Sequence, residues 1–353
     1  MSGVAPGRAG AYEVAMPFFA YAAGEKNGAL RGMRYEPAAL GAQEVELAIS
    51  HCGLCHSDLH LLADDWGIGR FPLVPGHEIV GAIAAMGAEV RGLQVGERVG
   101  LGWQRGACLR CGTCLEGSEN LCPEQQATCI GHFGGFADRI RADARFVFPI
   151  PAAITSEEAA PLLCGGATAY SALRRGGVTA RSRVAVLGVG GVGHLALQFA
   201  RTFGSHVTAI TSSPDKDAAA RMCGAHEVLV LRDASGWTPL AGRFDFILCT
   251  VSADLDWMAV VGALRPSGTL CFVGAPVQPL VLPAGALLAG QRSVTGSLGA
   301  GRATLREMLE HAARTGVRAR VETMPMSDAN RAVERLRTNQ ARFRVVLVNG
   351  ASG

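Results

Sequence analysis

Gly188-Val-Gly-Gly-Val-Gly193 follows an apolar run at residues 183–187 and precedes a helix-like stretch at residues 194–203. No other feature narrows the possible folds as much. A G-x-G-x-x-G turn between strand and helix uses its glycines for separate reasons. Gly188 allows the tight turn, Gly190 lets backbone approach a pyrophosphate, and Gly193 lets the helix pack close to the strand. The helix N-terminus then faces the anion. The surrounding sequence has the texture such a turn requires. Strand-like runs at 183–187, 207–211, 228–231, 244–250 and 268–273 alternate with helix-like stretches at 194–203, 215–222 and 255–264. Alternation of this kind implies parallel βαβ units, so a doubly wound parallel-sheet domain is expected over residues 168–298.

The end of the second strand bears on which dinucleotide binds. An acidic residue ~20 positions after the glycines would take the adenosine ribose 2′-hydroxyl and repel a 2′-phosphate. Here the chain reads Thr211-Ser-Ser-Pro-Asp-Lys216. Ser212 and Ser213 can donate hydrogen bonds and Lys216 can supply charge, which favours NADP(H) over NAD(H), with Asp215 as a local dissent. Lys26 and Lys216 are the only lysines in a chain that otherwise uses arginine, a mild hint that a compact ammonium is wanted at position 216.

At 353 residues, and about 150 residues per domain, two domains are expected. Outside the alternating region, short β-type runs at 44–51, 79–86, 98–101 and 144–148 are broken by Gly and Pro turns, which suggests an irregular antiparallel or barrel-like domain. The tail offers helical stretches at 304–314 and 327–337 and a β-rich run at 344–348. With 49% hydrophobic and 18% charged residues, the composition excludes disorder and collagen-like repeats. A net charge of +3 without blocks of like charge argues against nucleic-acid partners or a membrane-binding face. Residues 1–13 lack a signal pattern, and apolar stretches such as 184–200 are interrupted by Gly and His, so no membrane partner and a cytoplasmic location are expected.

In that compartment the 11 cysteines point to metal ligation or buried thiols rather than disulfides. Cys108, Cys111, Cys114 and Cys122 form C-x2-C-x2-C-x7-C in a polar, turn-rich loop, a lobe at about residues 104–124. Such thiolates can converge on one tetrahedral zinc and leave no open position, so the site is read as structural; an iron–sulfur cluster is the alternative. Three further candidates lie apart: Cys55 in His51-Cys-Gly-Leu-Cys-His-Ser-Asp-Leu-His60, His77 and Glu78 in Pro75-Gly-His-Glu, and Cys164 in Leu162-Leu-Cys-Gly-Gly166. Three protein ligands with a fourth position free is the arrangement of catalytic zinc. Spacing alone leaves Cys52 and Cys55 open to a second reading as a redox C-x-x-C.

Taken together, these motifs resemble the zinc-containing medium-chain dehydrogenase/reductases, and within them the cinnamyl alcohol dehydrogenase branch. The resemblance runs through Cys-Gly-Leu-Cys-His-Ser-Asp-Leu-His, Pro-Gly-His-Glu-Ile-Val-Gly, the four-cysteine lobe, Pro161-Leu-Leu-Cys-Gly-Gly, Gly-Val-Gly-Gly-Val-Gly-His, Thr-Ser-Ser-Pro-Asp-Lys and the closing Ala341-Arg-Phe-Arg-Val-Val-Leu. It implies an α/β enzyme with a GroES-like β-rich catalytic domain over residues 1–167 and 299–353 and a Rossmann domain over 168–298, with catalysis between them. It further implies catalytic-zinc ligands Cys55, His77 and Cys164, with Glu78 alternating with solvent, and leaves Cys52 a structural thiol. Asp58 is similar to the carboxylate that fixes the tautomer of a zinc-bound imidazole. Protons are expected to travel through Ser57, the cofactor ribose and His60, while His56 contacts the pyrophosphate. The expected cofactor set comprises His56, Gly188, Gly190, Gly191, Val192, Gly193, Thr211, Ser212, Ser213, Lys216, Thr250, Val251, Gly274 and Ser297. Trp66, Trp103 and Leu298 are similar to pocket walls and suggest a flat apolar cavity for aromatic or medium-chain aldehydes. Ala127 stands where plant members carry an aromatic residue, which weakens a cinnamyl specificity, and His132 receives no role.

The activity expected is that of a zinc- and NADP(H)-dependent alcohol dehydrogenase acting mainly as an aldehyde reductase, with two zinc ions per chain. Reduction of a C=C or C=N bond with NADPH is the alternative among oxidoreductases, and a non-catalytic NADPH- or zinc-binding interaction protein the alternative of another class. The resemblance also implies a homodimer or homotetramer associated through the Rossmann sheet edge.

Overall fold

The computed structural model describes residues 17–231 and 234–350. Two large sheets organise them. Six parallel strands run in the order Glu227–Val230, His206–Thr211, Arg183–Leu187, Phe244–Cys249, Leu264–Phe272 and Ser293–Gly296. Arg183–Leu187 is buried at all but its first residue, as expected of a parallel strand covered on both faces. The helix Gly193–Thr202 packs beside this sheet, and one apolar cluster joins Val184 and Val186 to Leu195, Ala196 and Phe199. A second cluster, built on Ala185, Ile247, Trp257 and Leu270, covers the sheet elsewhere.

The other sheet has seven strands. Its path is Val321–Pro325, Arg344–Val348, Glu44–Leu54, Glu78–Met86, Arg98–Leu101 and Val147–Pro149, and Arg139–Asp143 pairs with Glu44–Leu54. All of its ladders are antiparallel except that between Val321–Pro325 and Arg344–Val348. The chain leaves it through Ser156–Pro161, the π-turn Leu162–Gly166 and helix Ala167–Arg175, and returns through helix Arg302–Thr315. Val80, Phe148 and Val346 of this sheet share a core with Val184 and Val186 of the parallel one and Leu197 of the helix beside it, so the two sheets meet through a continuous apolar interior.

The expected elements form with shifts at their ends. Residues 144–148 depart most: Ala144–Phe146 is a 3-10 turn, because the Asp143 carboxylate accepts from Arg145 N at 2.9 Å and caps it, and only Val147–Pro149 is strand. The strand pair Phe18–Ala23 and Leu30–Tyr35 lay outside the runs read from the sequence. Its first strand is fixed largely by distant partners: Tyr21 N bonds Phe136 O and Ala23 N bonds Leu73 O, both at 2.8 Å.

Candidate metal and cofactor site

Cys55 caps helix His56–Leu62 in extended backbone conformation. Asp58, fully buried in that helix, accepts from Cys55 N at 2.9 Å with Oδ2, and from Gly76 N at 2.9 Å with Oδ1. The same Oδ1 lies 3.0 Å from His77 Nδ1. A buried carboxylate there makes Nδ1 the protonated nitrogen and turns the Nε2 lone pair toward Cys164 Sγ, 3.3 Å away. Cys164 arrives from the π-turn, a local widening common at functional positions. Its Sγ lies 4.0 Å from that of Cys55, whose own Sγ is 3.8 Å from Ser57 Oγ.

Glu78 completes the group: the donor atoms of Cys55, His77, Glu78 and Cys164 all lie within 4.8 Å of one another. One Glu78 oxygen accepts from buried Arg344, while Oε2 is buried without a hydrogen-bond partner. Two thiols, an imidazole and a partly unpaired carboxylate form a donor set suited to zinc, with the imidazole oriented from behind. A hydrogen bond from Cys164 holds the Cys55 thiol well below its ordinary value, and Cys164 keeps its own proton more tightly in exchange. Against burial, which favours a neutral ring, Asp58 and Cys164 hold His77 well above the usual range. Burial pushes the Glu78 carboxyl up, opposed by the Arg344 guanidinium.

In the lobe, Cys108 Sγ lies 3.9 Å from Cys114 Sγ and 3.5 Å from Cys122 Sγ, and Cys111 and Cys122 are 3.9 Å apart. A tetrahedron of sulfurs ~2.3 Å from zinc has edges of ~3.8 Å, so these thiols are spaced for one ion. The lobe is tied to the returning chain. Glu119, buried between Cys114 and Cys122, accepts from Arg302 Nε at 2.8 Å and Arg302 N at 3.0 Å, and Asn120 Nδ2 donates to Leu298 O at 2.6 Å.

The glycine turn lies close by. Gly188 has φ +98°, and a Cβ on it would stand 2.5 Å from Val251 Cγ1 and 2.7 Å from Thr250 Oγ1. A Cβ on Gly193 would stand 1.9 Å from Gly188 O, whereas one on Gly190 would meet nothing within 4 Å. This is a tight turn with an open side, the shape a pyrophosphate needs. Gly274 and Ser297 line a cavity of about 440 Å³ with Asn120, Arg175 and Leu298. Ser297 Oγ is buried there without a partner, a donor suited to a cofactor group. Thr211 ends its strand, with Ser213 N donating to Thr211 Oγ1 at 3.2 Å; Ser212 is exposed, and Lys216 closes the turn through Ser213 O at 3.2 Å. His56 is exposed at the first position of its helix.

Trp103 sets its ring edge-on to His77 at 4.9 Å, Trp66 stands 6.3 Å from Trp103, and His60 lies 5.1 Å from Trp66. Trp66, Trp103 and His60 therefore gather on the His77 side, while Leu298, 62% exposed, borders the other cavity. His60 Nδ1 pairs with Asp65 Oδ2 at 2.8 Å. His132 lines a separate small pocket with Arg70 and Phe133. Cys52 is buried against Gly53 O, outside the metal-binding group.

Three residues without a role in the sequence reading stand at the site. Arg344 pairs with Glu78 and also borders the glycine turn, since a Cβ on Gly191 would lie 2.7 Å from its Nη1. Its only sequence signal was membership of the closing Arg-Phe-Arg motif. Asp65 had none. Cys129, which donates to Gly76 O at 3.1 Å and shares a second donor group with Asp58 and His77, could not be told from a core thiol.

Residues 41–152 match the alcohol dehydrogenase GroES-like domain and residues 191–314 the zinc-binding dehydrogenase family. Aldehyde reductase AdhA of Synechocystis is 44% identical over 93% of this chain and 98% of its own. Probable cinnamyl alcohol dehydrogenase 8B of rice is 40% identical, covering 94% and 78%. Among solved structures, a Sorghum bicolor cinnamyl alcohol dehydrogenase superposes with TM-score 0.91 at 35% identity over 96% of this chain and 99% of that one. A Helicobacter pylori cinnamyl alcohol dehydrogenase complexed with NADP(H) gives 0.87 at 28% identity over 96% and 99%. The chain belongs to the zinc-containing medium-chain dehydrogenase/reductases, in the cinnamyl alcohol dehydrogenase branch. It is a zinc alcohol dehydrogenase of the aldehyde-reductase kind, a GroES-like part joined to a Rossmann part.

Proposed function

We propose that this enzyme reduces aromatic or medium-chain aldehydes with NADPH, and that the residues gathered around His77 carry the reaction. The observation that carries this reading is the convergence of Cys55, His77, Glu78 and Cys164 with Asp58 behind the imidazole. When bound, zinc supplies a Lewis acid for the carbonyl oxygen and NADPH supplies the hydride for its carbon. Cys55, His77 and Cys164 would hold the ion, with Glu78 as a further donor that could give way to substrate or water. Asp58 keeps the His77 proton on Nδ1 so that Nε2 stays available. Ser57 Oγ, beside Cys55, gives a proton to the product oxygen, and His60, steadied by Asp65, restores it from solvent by way of the cofactor ribose. Trp66 and Trp103 offer flat apolar surface to the substrate.

A second zinc in the cysteine lobe, held by Cys108, Cys111, Cys114 and Cys122, is structural. Cofactor binding falls to His56, the turn Gly188–Gly193, Thr250, Val251, Gly274 and Ser297, and the NADP(H) preference to Ser212, Ser213 and Lys216 at the end of the strand closed by Thr211. The domains divide at about 167/168 and 298/299. Dimer or tetramer association through the edge strand Ser293–Gly296 and a cytoplasmic location belong to the same reading. No helix among the described residues is long and apolar enough to cross a membrane.

The test is the initial rate of NADPH oxidation, beside NADH, with benzaldehyde, cinnamaldehyde and butanal. Turnover favouring NADPH is expected. Absence of turnover on every aldehyde, with zinc verified in the sample, would overturn the reading and favour C=C or C=N reduction.

A further inference from the structure

Arg342 Nη2 lies 3.1 Å from Asp215 Oδ2, across 127 positions of sequence, and both side chains are more than half exposed. The pair joins the turn after strand His206–Thr211 to the turn before strand Arg344–Val348. Each side is anchored. Arg342 N donates to Glu322 Oε1 at 2.8 Å, and the other turn is closed by Ser213 N to Thr211 Oγ1 and Lys216 N to Ser213 O, each 3.2 Å. Lys216 sits in the same field: burial and then Arg342 push its ammonium pKa down, while Asp215 pulls it up. Two cations therefore lie at the turn that carries Ser212 and Ser213, and one of them, Arg342, is paired with an internal carboxylate.

We propose that Arg342 is a second cation for the 2′-phosphate of NADP(H), and that Asp215 is the anion it exchanges for that phosphate. The proposal rests on the NADP(H) reading above and names a residue beyond Ser212, Ser213 and Lys216. The chemistry favours the exchange. A phosphomonoester carries a charge of about −1.5 to −2 at neutral pH and offers three acceptor oxygens, so it outbids a single exposed carboxylate for a guanidinium fork. A ribose 2′-hydroxyl has no such charge and leaves the Arg342–Asp215 pair in place. Asp215 thus acts in two ways: it competes with the phosphate for Arg342, and it repels the phosphate once displaced. Because Arg342 lies on the segment leading into the GroES-like sheet and Lys216 lies beside the Rossmann sheet, a bound phosphate would also tie the two parts together at the adenosine end.

The experiment is calorimetric titration of the full-length protein with 2′,5′-ADP, which carries the phosphate, and with 5′-AMP, which lacks it. Loss of a charge-assisted contact predicts that Arg342→Met weakens 2′,5′-ADP binding about tenfold relative to 5′-AMP. Arg342→Lys should restore part of it. Asp215→Asn should tighten 2′,5′-ADP binding by a few-fold, and the gain should shrink in the Arg342→Met background, where only the direct repulsion is left to relieve; an undiminished gain there would mean that Asp215 does not compete for Arg342. Melting curves identify any variant that fails to fold, and the Asp215→Asn result stands independently of Arg342 variants. If Lys216→Ala weakens 2′,5′-ADP while Arg342→Met and Asp215→Asn do not change it, the role of Arg342 is wrong and the NADP(H) reading survives. If the unmodified protein binds both nucleotides equally, the NADP(H) reading fails and the proposal fails with it.

Discussion

Arg344 and Glu78 lie 266 positions apart and meet as an ion pair in which both side chains are buried. Removing one member of such a pair leaves the other charged and unpaired, at a cost of about 3–5 kcal/mol. Arg344→Met should destabilise the chain by that order in urea unfolding, and adding Glu78→Gln should recover much of the loss. Additive losses in the double variant would show that the two side chains are not energetically coupled.

Cys164→Ser removes one of the two thiols of the donor group around His77. Elemental analysis is expected to fall from two zinc ions per chain to one. Loss of Lewis-acid assistance, worth several kcal/mol, should lower kcat for aldehyde reduction by about three orders of magnitude. Carbonyl reduction that survives undiminished without this ion would refute the mechanism.

Cys111→Ser tests the lobe separately. It should remove the other ion and lower the melting temperature while leaving the ion near His77 in place. Simultaneous loss of both ions would mean that the sites are not independent or that the fold has collapsed.

His194 stacks on Phe343 with ring centroids 5.0 Å apart, donates from Nδ1 to Gly190 O at 3.0 Å and accepts at Nε2 from Arg320 N at 3.2 Å. Both nitrogens are satisfied by the neutral ring, and burial pushes its pKa from 6.5 down to about 3. The unfolded chain takes up a proton that the folded chain refuses. The contribution to stability is therefore complete above pH 6.5 and declines as pH falls toward 3. Urea unfolding between pH 7 and 4 should show a shallower acid loss in His194→Gln than in the unmodified protein; parallel curves would assign the acid sensitivity to other groups.

The parts of the site legible in the sequence were those whose chemistry is written locally. The glycine turn declares itself because strand, turn and helix are contiguous. The lobe cysteines do so because four thiols within one polar loop have little else to do. Cys55, His77 and Cys164 were readable as ligand types, but only the resemblance chose Cys55 over Cys52, since either spacing fits a turn. Arg344, Asp65 and Cys129 were not singled out, because each takes its role from a partner brought close by the fold. Phe18–Ala23 escaped notice for a related reason: an edge strand fixed by Phe136 and Leu73 carries little of its own pattern. Residues 144–148 misled because Asp143, just outside the apolar run, caps a turn that shortens the strand.

The contacts that seat the cysteine lobe also impose an order of events on the growing chain. Glu119 waits for Arg302, 183 positions later, and Asn120 for Leu298, 178 positions later. At Gly301 a Cβ would stand 2.0 Å from Gly117 O, so lobe and returning backbone touch directly. During synthesis the thiols can gather a metal as soon as Cys122 has emerged, but these berthing contacts cannot form until the whole parallel sheet, through Gly296, has been made. For the time needed to make those residues the lobe is an unmoored appendage.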